Sequence, residues 1–181
     1  MDICLKCGAE PPLISQICHK CVRETVVISR LPDVLRMVDC KSCYSLKTPG
    51  TWLEFENLES AVSHFFESSI IWKENLSQQK AILSLEQLDP AKFRAKAKTT
   101  ANYGGLNLES NLEGVVEIKY QVCQTCSRHA GGYYEAILQI RTKQKTVLDA
   151  AVEKVFKDID SSPPEFFSTE NGPAKGGFDF Q

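Results

Sequence analysis

Residues 4–21 read CLKCGAEPPLISQICHKC, and the fold turns on how this stretch is read. It holds two Cys-x-x-Cys pairs, Cys4/Cys7 and Cys18/Cys21, with ten residues between them. A two-residue gap lets both thiolates of a pair grip one metal from a tight turn, and two such knuckles complete the tetrahedral shell that zinc prefers. Ten residues between them suffice for a small ribbon closed on itself.

The remaining cysteines obey the same rule. Cys40/Cys43 and Cys123/Cys126 are again Cys-x-x-Cys, so all eight cysteines fall in pairs and none is left over. The reading is two structural Zn2+ ions, each in a Cys4 shell; iron–sulfur clusters share the soft donors but show other spacings. The simplest grouping joins Cys4, Cys7, Cys18 and Cys21 in one site and Cys40, Cys43, Cys123 and Cys126 in the other. Interleaved groupings stay open at this point. His19 and His129 lie beside knuckles, but with eight thiolates present the simpler reading is surface histidine. Four disulfides would need an oxidising compartment, and a thioredoxin-like role would need one pair opening a helix rather than four.

Working outward, the composition is that of a globular protein: 181 residues, 43% hydrophobic, 24% charged, net charge −2. Net charge excludes a general polyanion binder, so any nucleic acid must be met by a local basic patch. No stretch reaches the roughly 18 apolar residues of a membrane span. The opening Met1-Asp2-Ile3-Cys4 lacks the features of a signal peptide, so the expected location is cytoplasmic, where thiols stay reduced.

Periodicity sets the organisation. Val26–Arg30 and Thr51–Phe55 read as short strands, with Pro49-Gly50 as a turn. Asn57 reads as the N-cap of a helix to Ser69, its apolar face made by Leu58, Ala61, Val62, Phe65 and Phe66. The period then changes to two. Ala81–Leu88 and Lys92–Asn102 are strands about an Asp89-Pro90 turn, Asn102–Gly114 reads as a loop, and Val115–Val122 and Tyr133–Arg141 are further strands. Thr146 with Asp149 resembles a capping box opening a second helix through Leu148, Ala151, Val152, Val155 and Ile159. Two strands, 165–169 and 177–180, are expected around Asn171-Gly172-Pro173, and the pattern breaks off at Gln181.

The fold class is therefore α+β: an N-terminal zinc-ribbon-like module with two Cys4 sites, then an antiparallel sheet with two helices, most simply on one face. The expected domains are a zinc-knuckle module over 1–50, an α+β domain over 51–160 that completes the second site through 123–126, and a linker with the start of a following domain over 161–181.

Chemistry is sought next. On strand 92–102, Phe93, Ala95, Ala97 and Ala101 point one way and Lys92, Arg94, Lys96 and Lys98 the other. Four cations about 7 Å apart along one face match successive phosphates; the competing reading is a solvated face paired with Glu86 and Glu117. A second basic group is Arg128, Arg141, Lys143 and Lys145, and Trp52 and Tyr103 offer rings on which bases stack. No phosphate-binding glycine loop, nucleophile elbow or metalloprotease helix is present, and filled thiolate shells leave no position for an activated water. A binding module rather than an enzyme is expected.

Taken in order, Cys4-Leu5-Lys6-Cys7-Gly8, Cys18-His19-Lys20-Cys21, Cys40-Lys41-Ser42-Cys43 with Pro49-Gly50-Thr51-Trp52, Cys123-Gln124-Thr125-Cys126-Ser127-Arg128 and Glu135–Arg141 form a pattern of their own. The chain resembles the N-terminal region of the large-ribosomal-subunit export adaptor family (the nonsense-mediated mRNA decay protein three family), from Cys4 to Phe180, and its short form resembles the archaeal members. The resemblance implies a factor in late maturation, quality control or anti-association of the large ribosomal subunit, seated on its joining face. The partners it implies are rRNA, ribosomal proteins and the anti-association initiation factor six. It also implies that the family's next domain, which resembles translation factor five-A, begins near Phe178. The rival expectation is a zinc-ribbon protein–protein adaptor that touches no RNA.

Overall fold

The computed structural model describes residues 3–10, 12–163 and 166–181. Met1, Asp2 and Glu165, which entered the readings of the N-terminus and of strand 165–169, lie outside the described residues. The chain forms two compact units, Met1–Asp39 with Tyr44–Tyr120 and Cys40–Cys43 with Gln121–Gln181.

The first unit opens with a hairpin, β1 (Leu13–Ile14) and β2 (Ile17–Cys18), and a short helix α1 (His19–Thr25). Then come β3 (Ser29–Arg30), β4 (Leu35–Asp39), β5 (Leu46–Thr48), β6 (Thr51–Leu53), helix α2 (Leu58–Ser68) and β7 (Ile71–Trp72). Three long strands follow, β8 (Ser77–Asp89), β9 (Lys92–Tyr103) and β10 (Leu106–Tyr120). Six of these strands make one sheet in the order β6-β5-β4-β10-β9-β8.

Helix α2 is the element the sequence marks best. Asn57 caps it, its Oδ1 accepting from Ser60 N at 2.9 Å, and Ala61, Val62 and Phe66 are fully buried against β4, β8 and β9. The apolar face of the sheet supplies Leu35, Met37, Phe93, Ala95, Ala97, Val116 and Ile118 to the same core. A second cluster, Val22, Ile28, Ala101, Leu106 and Leu108, lies toward α1.

Two findings differ from the expectations. The stretch 102–114 is strand, not loop: Gly104 and Gly105 (φ 58° and 87°) form the two-residue turn between β9 and β10, and Asn102 Oδ1 accepts from Gly105 N at 2.9 Å. Both turn positions need positive φ, which glycine adopts without strain. Strand β4, where the sequence reading names no element, pairs in parallel with β10, Leu35 opposite Val116 through Asp39 opposite Tyr120. The sheet is thus mixed rather than wholly antiparallel.

The second unit holds helix α3 (Gln124–Ala130), β11 (Leu138–Arg141), helix α4 (Lys145–Asp160), β12 (Asn171–Ala174) and β13 (Gly177–Phe180). Its sheet has the order β11-β13-β12, and α4 packs on β11 and β13. The two long helices therefore cover different sheets. The expected strand 133–141 survives only as β11, and residues 166–169 are not strand. Asn171-Gly172-Pro173 lies in β12 rather than in a turn. Thr146 is no cap either: the helix begins at Lys145, and Gln144 in the capping position makes no side-chain bond. No helix among the described residues is long and apolar enough to cross a membrane.

Candidate metal centres

The eight thiols gather in two groups, Cys4, Cys7, Cys18 and Cys21, and Cys40, Cys43, Cys123 and Cys126; within each, the sulfurs lie within 4.8 Å of one another. The grouping is the sequential one, and neither His19 nor His129 belongs to it. Separations inside the groups are those of a coordination shell. Cys7 Sγ is 3.6 Å from Cys18 Sγ, and Cys43 Sγ is 3.7 Å from Cys123 Sγ. A regular tetrahedron with zinc–sulfur bonds of about 2.3 Å has edges of about 3.8 Å, whereas a disulfide needs about 2.05 Å. The donors are all soft thiolates, and the groups fit two structural zinc ions.

The two sites follow one plan. In each, the first knuckle is followed by a residue in the left-handed region, Gly8 (φ 73°) or Tyr44 (φ 54°). The second knuckle opens a short helix, with Cys18 before α1 and Cys123 before α3. The N–H of that cysteine donates to the first sulfur of its site: Cys18 N to Cys4 Sγ and Cys123 N to Cys40 Sγ, both 3.3 Å. Cys123 Sγ also accepts from Cys126 N at 3.4 Å, so the sulfur serves as the helix cap. Backbone donors fix sulfur direction and delocalise thiolate charge, the role outer partners play at metal sites.

Electrostatics of the metal-free groups show why a dication is needed. The Cys18 N–H outweighs burial and holds the Cys4 thiol down at about 6. Burial opposes ionisation of Cys40, but the N–H groups of Cys123, Ser42 and Cys43 bring it to about 7. Cys7, Cys21, Cys123 and Cys126 move the other way. The Cys7 sulfur and burial push Cys21 up to about 12, and burial followed by the crowd of neighbouring sulfurs raises Cys126. Cys4 and Cys40 are thus the sulfurs drawn toward the thiolate, one in each group, and four negative sulfurs coexist only around a cation.

Strand β4 runs directly into Cys40, and β10 ends at Tyr120, opposite Asp39 in the parallel ladder. Asp39, fully buried, was not singled out from the sequence; among the described residues neither carboxylate oxygen has a hydrogen-bond partner, and burial pushes the group up to about 6.

The basic residues divide into paired and unpaired. On β9 every cation of the row meets a carboxylate. Lys92 lies 4.0 Å from Glu117, Arg94 2.9 Å from Glu86 and 3.6 Å from Glu113, Lys96 3.8 Å from Glu113, and Lys98 2.8 Å from Glu109. Arg128 lies over the Tyr133 ring and 3.6 Å from Glu135. Arg141 pairs with Asp179 and donates to the Phe178 carbonyl at 3.2 Å, so it ties β11 to β13. Lys143 and Lys145 are exposed, with no ion pair among the described residues. Trp52 and Tyr103 are half-buried, each with a lysine, Lys47 or Lys73, 5.8 Å from its ring centre.

Comparison with known proteins agrees with this geometry. A search among curated proteins gave no match. The family model described as NMD3, N-terminal domain, matches residues 4–131, which take in all eight cysteines. That family is linked to ribosomal-subunit export and biogenesis and associates with the large ribosomal subunit. The match spans most of the sequence, and the chain belongs to the NMD3 family through its N-terminal domain.

Proposed function

We propose that this chain is a non-catalytic module that binds the large ribosomal subunit in the cytoplasm and occupies its joining face during late maturation. The observation that carries the reading is the family match over residues 4–131, which enclose two thiolate centres. Shells of four thiolates suit structural metal, since catalytic zinc keeps a position for water or substrate. The zinc ions hold knuckles and helix starts rigid, so the surface they present is pre-organised for docking. Mechanism is then occupancy, with rRNA shape read by contacts to phosphate and unpaired bases; contact with initiation factor six belongs to the same proposal.

The paired state of the β9 row bears on where RNA is met. A phosphate approaching Lys92, Arg94, Lys96 or Lys98 has to displace a glutamate already in place. Lys143 and Lys145 carry no such competitor among the described residues and are the better phosphate contacts. The same pairing favours the second reading, an adaptor whose interface is protein. A subunit-joining assay by light scattering tests occupancy. Zinc-loaded chain in excess should prevent isolated subunits from forming joined particles. Joined particles that form with the chain still bound would refute occupancy of the joining face.

A further inference from the structure

The second unit carries a cleft of about 540 Å³ that the metal centres do not explain. It is lined by Arg128, Tyr133, Tyr134, Glu135, Phe166 and Phe167, and Gln181 also contributes to its lining. Tyr133, Tyr134 and Phe166 keep 44%, 48% and 64% of their surface exposed, an unusual cost for rings that serve only packing. Phe167 stacks at a tilt on His129, with 5.2 Å between ring centres.

The polar groups of the cleft are already set in place. The Arg128 guanidinium lies 4.8 Å from the centre of the Tyr133 ring, and its Nη1 is 3.6 Å from Glu135 Oε1. Tyr133 Oη donates to the same oxygen at 3.2 Å, and Tyr133 N donates to the Arg128 carbonyl at 3.0 Å. Arg128 sits on α3, the helix that the Cys123 knuckle opens, so the metal centre anchors one wall. Glu135 Oε2 has no partner among the described residues, and 71% of the side chain is exposed.

We propose that this cleft takes an unpaired RNA base. The inference deepens the large-subunit reading and rests on it for the presence of RNA. A flat base stacks on the open faces of Tyr134 and Phe166 and presents an N–H edge to Glu135 Oε2. The adjoining phosphate meets the outer N–H groups of Arg128. Aromatic rings beside a fixed guanidinium and a carboxylate acceptor form the combination that reads unstacked bases. An apolar peptide is the poorer fit, because it would cover Arg128 and Glu135 without offering partners for their outer atoms.

The test uses the zinc-loaded full chain with a short labelled single-stranded RNA of mixed sequence, and a duplex of the same sequence, in fluorescence anisotropy. Tyr134→Ala and Phe166→Ala replace exposed rings, and two zinc per chain with unchanged circular dichroism certifies their fold. Each should weaken single-strand binding about tenfold, Tyr134→Phe should restore it, and the duplex should bind more weakly than the single strand. Variants that bind as the parent does, a duplex bound as tightly, or a parent with no affinity for single-stranded RNA would each overturn the proposal. Co-sedimentation of the same proteins with large subunits separates the two inferences. Subunit binding that is equal for parent and variants removes the cleft and leaves the subunit reading intact. Single-strand binding lost in the variants, with no subunit binding by the parent, does the reverse.

Discussion

Lowering the pH of the zinc-loaded chain should expel both metals steeply, and the structure sets how steeply. Protons and zinc compete for the same sulfurs, so affinity falls as pH falls. In the metal-free groups Cys4 is held at about 6 and Cys40 at about 7, while Cys21 is pushed to about 12 and Cys126 is raised. Near neutrality the raised sulfurs, Cys7 and Cys21 in one group and Cys123 and Cys126 in the other, hold their protons, so forming each four-thiolate shell expels at least about two protons. Zinc affinity should therefore fall at least about a hundredfold per pH unit at each site. The slope should steepen toward four protons first at the Cys40 site, as pH drops through about 7, and then at the Cys4 site near 6. Competition against a chromophoric chelator over this range measures the slope directly. A loss of only one proton per zinc would refute the four-thiolate shells, whatever the stoichiometry.

Other outcomes follow from packing and charge. Phe66→Ala removes the largest fully buried side chain on α2 and should cost about 3–5 kcal/mol, read from the urea midpoint. Ser15 and Gln16 form the β1–β2 turn with φ of 48° and 66°; Gln16→Gly relieves one left-handed residue and should stabilise the zinc-loaded chain by about 1 kcal/mol in the same assay. For RNA contact, changing Lys143 and Lys145 together to Ala should lower the salt-dependence slope of subunit binding by about one to two. Changing Lys92, Arg94, Lys96 and Lys98 together to Gln should leave that slope nearly unchanged, because each already has a glutamate partner.

Much of the metal chemistry was legible in the sequence, because ligation demands particular residues at short spacing. Cys-x-x-Cys pairs announce themselves, and helix α2 does too, through the Asn57 cap and a clean 3.6-residue period. What was misread is where local and distant signals conflict. Strand β10 was lost over 102–114 because Asn107, Glu109 and Asn111 are polar; yet Leu106, Leu108, Leu112, Val116 and Ile118 keep one phase, and Gly104-Gly105 is a hairpin turn. Strand β4 is five residues long and owes its place to a parallel partner about eighty residues on, which no local window shows. Helices α1 and α3 span seven residues each, too short for a period, and are started by a cysteine sulfur's site rather than by a serine or aspartate. The aromatic cleft was hidden because the run 133–141 reads as an alternating strand, whereas only Leu138–Arg141 pairs.

The central claim is that this zinc-built chain binds the large ribosomal subunit. Co-sedimentation of the zinc-loaded chain with isolated small, large and joined ribosomal particles, at low and high salt, tests it most directly. Binding to the isolated large subunit alone, weakening as salt rises, is the expected result. Binding to no particle, or equal binding to all three, would contradict it.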